Sequence, residues 1–146
     1  MGYLIAGVQD FSDEQWRTPC GSEHRSVGVR VHHVGAMYSL EADVVRTLAM
    51  GGGLPGLGWD AVHGIKGEHA AAHADVDPET AIALARQNSA VAAAAVRNLT
   101  DDQLDRVAPN GLHWKAPLTV HFFVEHHPIG HAYIHLESIR TALGRA

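Results

Sequence analysis

Between residues 27 and 49 the apolar positions fall at 27, 31, 34, 37, 40, 44, 45 and 48. This three-and-four spacing lays them along one face of a helix. Ser26 stands immediately before the run as an N-cap, so a helix over 27–49 is predicted. "GGGLPGLG" (51–58) then stops it, because three glycines free the backbone and a proline removes a donor. The next stretch, "WDAVHGIKGEHAAAHADV", is weakly periodic and carries two internal glycines, which predicts a short helix or two lying over the others. "DPETAIALARQNSAVAAAAVRNL" is the clearest helix, with Asp77 as N-cap, Pro78 at the first helical position and Glu79 in the first turn. Thr100 repeats the capping logic for a short helix in "TDDQLDRV", and "APNGLHWKAP" reads as a connector of turn formers. A last helix is expected from about Pro117 or Leu118 towards Leu143, with Gly144 at its end. No run alternates in the manner of a strand and no repeat occurs, so the pattern predicts an all-α helix bundle.

Composition narrows the picture further. With 146 residues and 46% hydrophobic content, one globular domain spanning 1–146 with a core of its own is expected. A net charge of −5, from 16 acidic and 11 basic residues without a basic block, predicts no nucleic-acid partner and no anionic membrane partner. Cys20 is the sole cysteine, which excludes an internal disulfide and a Cys-rich zinc module. "MGYLIAGVQD" lacks a basic leader region, and no window approaches the ~20 apolar residues of a membrane span. A cytoplasmic protein is therefore expected.

Twelve histidines are the compositional oddity, and they direct attention to metal chemistry or proton transfer. In "FFVEHHPIGHAYIHLESIR", His127 and His131 stand four apart, so on a helix both imidazoles can face one ion. His33, part-way along the 27–49 helix beside apolar positions 34, 37 and 40, is the best source of a third ligand. Three neutral imidazoles with a free fourth position make an open, catalytic type of site. A pair at this spacing is nevertheless more often polar filling than a metal site. Pro128 adds an ambiguity, since it removes the bond to the Val124 carbonyl and biases His127 away from helical angles. A kinked helix keeps the pair His127 and His131, whereas a helix restarting at Pro128 leaves His131 and His135 as the pair.

The order of these signals resembles the DinB-like superfamily, particularly its branch of mycothiol-dependent maleylpyruvate isomerase-like domains. "FSDEQWRTPCGSEHRSVGVRVHHVGAMYSLE" is similar to the opening of that family, "VRNLTDDQLDRV" to a later turn, and "EHHPIGHAYIHLESI" to its last helix. Arg25 stands where the family commonly has Trp. The resemblance implies a four-helix bundle of up-down-down-up type with a short first helix. It implies His33, His127 and His131 as the metal ligands and places His32 on a neighbouring, non-ligand position. It further implies a divalent metal, zinc first with nickel or iron as alternatives, and a low-molecular-weight thiol such as mycothiol or bacillithiol bound to it. The activity implied is a thiol S-transferase or isomerase acting on a small-molecule substrate. A metal-dependent hydrolase and a non-catalytic metal- or ligand-binding stress protein are the alternatives.

The remaining chemistry-bearing residues have plainer expectations. His69 and His73 form a second pair at helical spacing, on a segment expected to be exposed, with His69 the better placed to face a substrate or a ligand imidazole. Glu125 and Glu137 are expected to be solvated helix carboxylates, with the alternative that either orients a ligand imidazole by accepting its free N–H. Cys20 is expected to be structural, and Trp16, Trp59 and Trp114 to fill the core or close the bundle ends. A di-iron carboxylate bundle fails on spacing, because Ser26 and Pro128 stand where Glu23 and Glu125 would need a histidine three residues on. The short segment before "FSDEQW" leaves part of the 27–49 helix uncovered. Either residues precede Met1 or a second copy covers the face, and a homodimer is expected.

Overall fold

Caps decide where most of the helices begin. In the computed structural model, which describes residues 1–54 and 58–145, α1 (Gly2–Val8) buries Leu4, Ile5 and Val8. Ser12 closes a capping box with Gln15 and starts α2 (Asp13–Arg17). A two-residue antiparallel ladder, β1 (Pro19–Cys20) with β2 (Arg25–Ser26), leads into α3 (Val27–Ala49). Ser26 Oγ accepts from the Val29 amide, as its place in the sequence predicts. Residues 55–57 of the expected 51–58 loop lie outside the described residues. α4 (Trp59–Ala72) follows as one helix, then α5 (Pro78–Arg97), where the Asp77 carboxylate accepts from the Thr80 amide at 2.8 Å. Thr100 and Gln103 box the start of α6 (Asp101–Leu104).

The connector after α6 is not irregular. β3 (Val107–Asn110) pairs antiparallel with β4 (Ala116–Thr119) around a 3-10 turn at Gly111–His113. Two prolines hid this hairpin from the sequence, and they face one another in the register, Pro109 opposite Pro117. A two-stranded ladder tolerates them because each strand has a free edge that needs no amide donor. The last helical stretch therefore starts at Val120, not at 117 or 118. It runs as α7 (Val120–Val124), a π turn (Glu125–Ile129) and α8 (Gly130–Ala142), with Gly144 at φ 63° just past its end.

The core lies between α1, α2, α3, α5 and α8, where Leu4, Trp16, Val31, Val34, Ala81 and Ile139 are buried. A second apolar cluster joins the far end of α3 to α7 through Val45, Leu48, Val120 and Phe123. Trp16 is buried and donates its indole N–H to the Val76 carbonyl at 3.1 Å. Trp114, by contrast, is 91% exposed at the hairpin tip with φ 54°, so it closes nothing. α4 buries no residue at all. Among the described residues no helix is long and apolar enough to cross a membrane.

α3 and α5 cross closely, and Gly35 permits it. A Cβ there would stand 2.9 Å from the Ala85 Cα and 3.0 Å from its amide nitrogen, both backbone atoms that cannot yield locally. Asn88 fastens the same crossing by donating to the Gly35 carbonyl at 3.0 Å. Gly35→Ala is expected to cost about 1–3 kcal/mol through overpacking, more than the ~1 kcal/mol gained in helix propensity. Urea midpoints check this; an unchanged or raised midpoint would mean that α5 separates from α3 freely.

Candidate metal centre

Three imidazoles converge between α3 and α8. His33, His131 and His135 each present a nitrogen, all within 4.8 Å of one another. His33 and His135 are buried, and the His33 ring stands edge-on to both others, with centroids 5.2 Å from His131 and 5.5 Å from His135. The arrangement follows from helix geometry, since 131 and 135 lie one turn apart on α8. His33 Nδ1 is buried with no hydrogen-bond partner. An orphaned nitrogen beside two further donors fits a borderline cation, which takes neutral imidazole readily.

Hydrogen bonds fix the protons of this group without a choice of tautomer. Arg30 Nη1 lies 3.0 Å from His135 Nδ1 and can only donate, so Nδ1 accepts. The neutral ring must then carry its proton on Nε2, which donates to His131 Nε2 at 3.0 Å. His131 in turn carries its proton on Nδ1 and donates to Glu41 Oε1 at 3.1 Å. Glu41 is 8% exposed and its Oε2 is buried without a partner. Arg30, His33 and Glu41 occupy one face of α3, three residues before and eight after His33. The orienting carboxylate is thus on α3, whereas Glu125 pairs with His121 at 3.5 Å and Glu137 is exposed.

The π turn explains which histidines meet. The Gly130 amide bonds the Glu125 carbonyl five residues back, and Pro128, which has no amide to offer, sits inside that wider turn. One extra residue per turn rotates α8 relative to α7, so His127 is not one α-turn below His131. The structure brings His33 and His131 together and puts His135 in the third place. His127 lies outside this group, stacked on Phe123 at 4.4 Å and edge-on to His113 at 5.8 Å. Its Nε2 is buried without a partner, and burial above all pushes its pKa down to about 4.

The group opens onto a cavity of about 550 Å³, within the usual range for a small-molecule site. Apolar walls come from Leu40, Trp59 and Ile134, and a cationic one from Lys66, which pairs with Glu23 at 3.2 Å. Cys20 does not supply a nucleophile here. It is 2% exposed, its Sγ points at the Arg25 carbonyl, and burial raises the thiol's pKa against the opposing pull of Arg30.

A second trio lies on the other side of His33. His32, His69 and His73 also present nitrogens within 4.8 Å of one another. The 69–73 segment expected to be exposed is half-buried, because α4 lays both rings against His32.

A family model described as the DinB superfamily matches residues 3–139. The chain belongs to the DinB superfamily. No curated protein and no solved structure matches it. As a DinB-superfamily chain it carries histidine clusters that could hold a metal ion on a mostly helical frame.

Burial keeps His33 and His135 neutral. It lowers His33 to about 3 and His135 to about 2, with the charge of His131 acting in the same direction on both. In the unfolded chain each titrates near 6.5. Below that value the unfolded state binds more protons than the folded one, so stability is full above 6.5 and falls as the pH drops towards 3. Metal-free protein is expected to lose on the order of 2 kcal/mol per buried histidine between about pH 7.5 and pH 5. Urea unfolding at the two pH values measures it, and equal midpoints would contradict the neutral, buried assignment.

Proposed function

We propose that this chain is a metal-dependent thiol S-transferase or isomerase of the maleylpyruvate isomerase-like branch, a four-helix bundle of up-down-down-up type. The observation that carries the reading is an open set of three imidazole nitrogens at the wall of a small-molecule cavity. His33, His131 and His135 would hold the cation, zinc first and nickel or iron next, because imidazole donors discriminate weakly among them. When bound, such an ion lowers the pKa of a coordinated thiol and keeps it as thiolate at neutral pH.

The chain's own residues set up that chemistry. Glu41 holds the Nδ1 proton of His131, which leaves Nε2 free as a donor and fixes the ring. With His135 Nε2 given to a cation, the ring proton would lie on Nδ1, and the 3.0 Å contact from Arg30 Nη1 would have to open while Arg30 Nε keeps the Cys20 carbonyl at 3.0 Å. That opening would leave a guanidinium N–H at the cavity edge. That group would meet the carboxylate of an electrophilic substrate, Lys66 beside it being paired with Glu23 at 3.2 Å. Leu40, Trp59 and Ile134 would give a bound thiol an apolar surface to lie against.

Zinc-loaded protein offered mycothiol or bacillithiol with monochlorobimane is expected to turn over, and His131→Ala to fall to the uncatalysed rate. Turnover that persists after the metal is stripped would end the mechanism. Tight metal binding with no turnover on either thiol would leave a binding protein.

A further inference from the structure

The second trio of histidines joins two helices that little else joins. His32 is on α3, while His69 is in the last turn of α4 and His73 is the residue that caps it. The pair on α4 stands one turn apart on one side, with ring centroids 4.7 Å from each other. His32 fits against both, its ring 5.0 Å from His69 and 4.0 Å from His73. Its Nδ1 lies 2.9 Å from His69 Nε2. One hydrogen bond accounts for those two nitrogens and nothing more. His69 Nδ1 is buried without a partner, and the third ring is packed among the others with no hydrogen bond to either.

α4 itself supplies the other half of the argument. None of its residues is buried, so the apolar burial that holds α3, α5 and α8 together is missing from it. Its ties to the rest of the chain are polar and few. Lys66 reaches Glu23 at 3.2 Å, and Trp59 donates to the Leu112 carbonyl at 2.9 Å, both towards the N-terminal and middle turns. At the C-terminal end the imidazoles of His69 and His73 meet His32 on α3. Nitrogen donors drawn from two elements, all within 4.8 Å, are the requirement for a cation to bridge those elements.

We propose that His32, His69 and His73 form a second divalent-cation site, distinct from the His33 group, that clasps α4 onto α3. An all-imidazole donor set suits zinc, nickel, cobalt or copper and not calcium or magnesium, which take oxygen ligands. Water completes the coordination. The clasp also bears on the first centre, because the His69 ring stands edge-on to His33 with centroids 5.3 Å apart. Fixing His69 fixes one side of the His33 ring.

The test uses full-length protein, zinc alone as the probe, and equilibrium dialysis at about micromolar free metal. Two ions per chain are expected in the wild type, one in His73→Ala, one in His135→Ala and none in the double variant. His73 is half-buried at a helix end, so its loss leaves the core intact; His73→Gln serves as the second variant. Hydrogen exchange supplies an independent readout. Adding zinc to His135→Ala should slow exchange of the α4 amides at least tenfold, and adding it to His135→Ala/His73→Ala should not. Two ions retained in both His73 variants would overturn the second site. A single wild-type ion lost in His135→Ala but kept in His73→Ala would also overturn it, leaving the first centre standing. A single ion lost in His73→Ala but kept in His135→Ala would support the clasp and remove the first centre instead.

Discussion

His135→Ala is expected to weaken zinc binding at the His33 group by more than about 100-fold, while His127→Ala leaves it within about twofold. The comparison belongs in a His73→Ala background, where the second trio contributes nothing. His135 presents a nitrogen to the group within 4.8 Å of those of His33 and His131. His127 lies within the π turn itself, its ring packed on Phe123 and edge-on to His113. Calorimetric titration of the two variants reads the difference directly. Equal losses would mean that α8 turns back by a residue when metal binds, erasing the π turn. A loss in His127→Ala alone would assign the site to the pair one turn nearer the N-terminus.

Glu41→Gln is expected to lower zinc affinity by about 10–100-fold, with Glu125→Gln unchanged. The amide keeps the shape and still accepts from His131 Nδ1–H, but it no longer answers the ligand's developing positive charge with a negative one. Glu41 is only 8% exposed, so its field is weakly screened, whereas Glu125 faces solvent beside His121. The effect should appear in the dissociation rate more than in the association rate, since the carboxylate holds a bound ring in place. Equal affinities in Glu41→Gln and the wild type would show that the His131 ring needs no orienting partner.

The helices were readable because their starts are local. Ser26, Asp77 and Thr100 each bond an amide three residues on, and that geometry depends on nothing distant. Family order and helical spacing singled out His33 and His131, whose ring nitrogens lie within 4.8 Å of one another. The π turn was not readable: Pro128 announced a break in the ladder, but whether the helix kinks, restarts or widens is settled by packing of Phe123, Val124 and Pro128 against neighbouring helices. The added residue of that turn sets His135, and not His127, beside His33 and His131. Glu41 had a signal, a carboxylate eight residues from His33 on an otherwise apolar face, and it was outweighed by carboxylates nearer the histidine pair in sequence. The β3–β4 hairpin was masked by prolines that a two-stranded ladder accommodates. The His32 trio joins residues 37 and more apart in sequence, and adjacent His32 and His33 serve different clusters because a helix turns them about 100° apart.

The central claim is that one cation sits among His33, His131 and His135. Diffraction from crystals of zinc-loaded protein, collected on either side of the zinc absorption edge, tests it most directly. An anomalous peak is expected about 2.0–2.1 Å from one ring nitrogen of each of these three histidines. A peak bonded to His127 with His135 unliganded, or no peak within reach of His33, would contradict it.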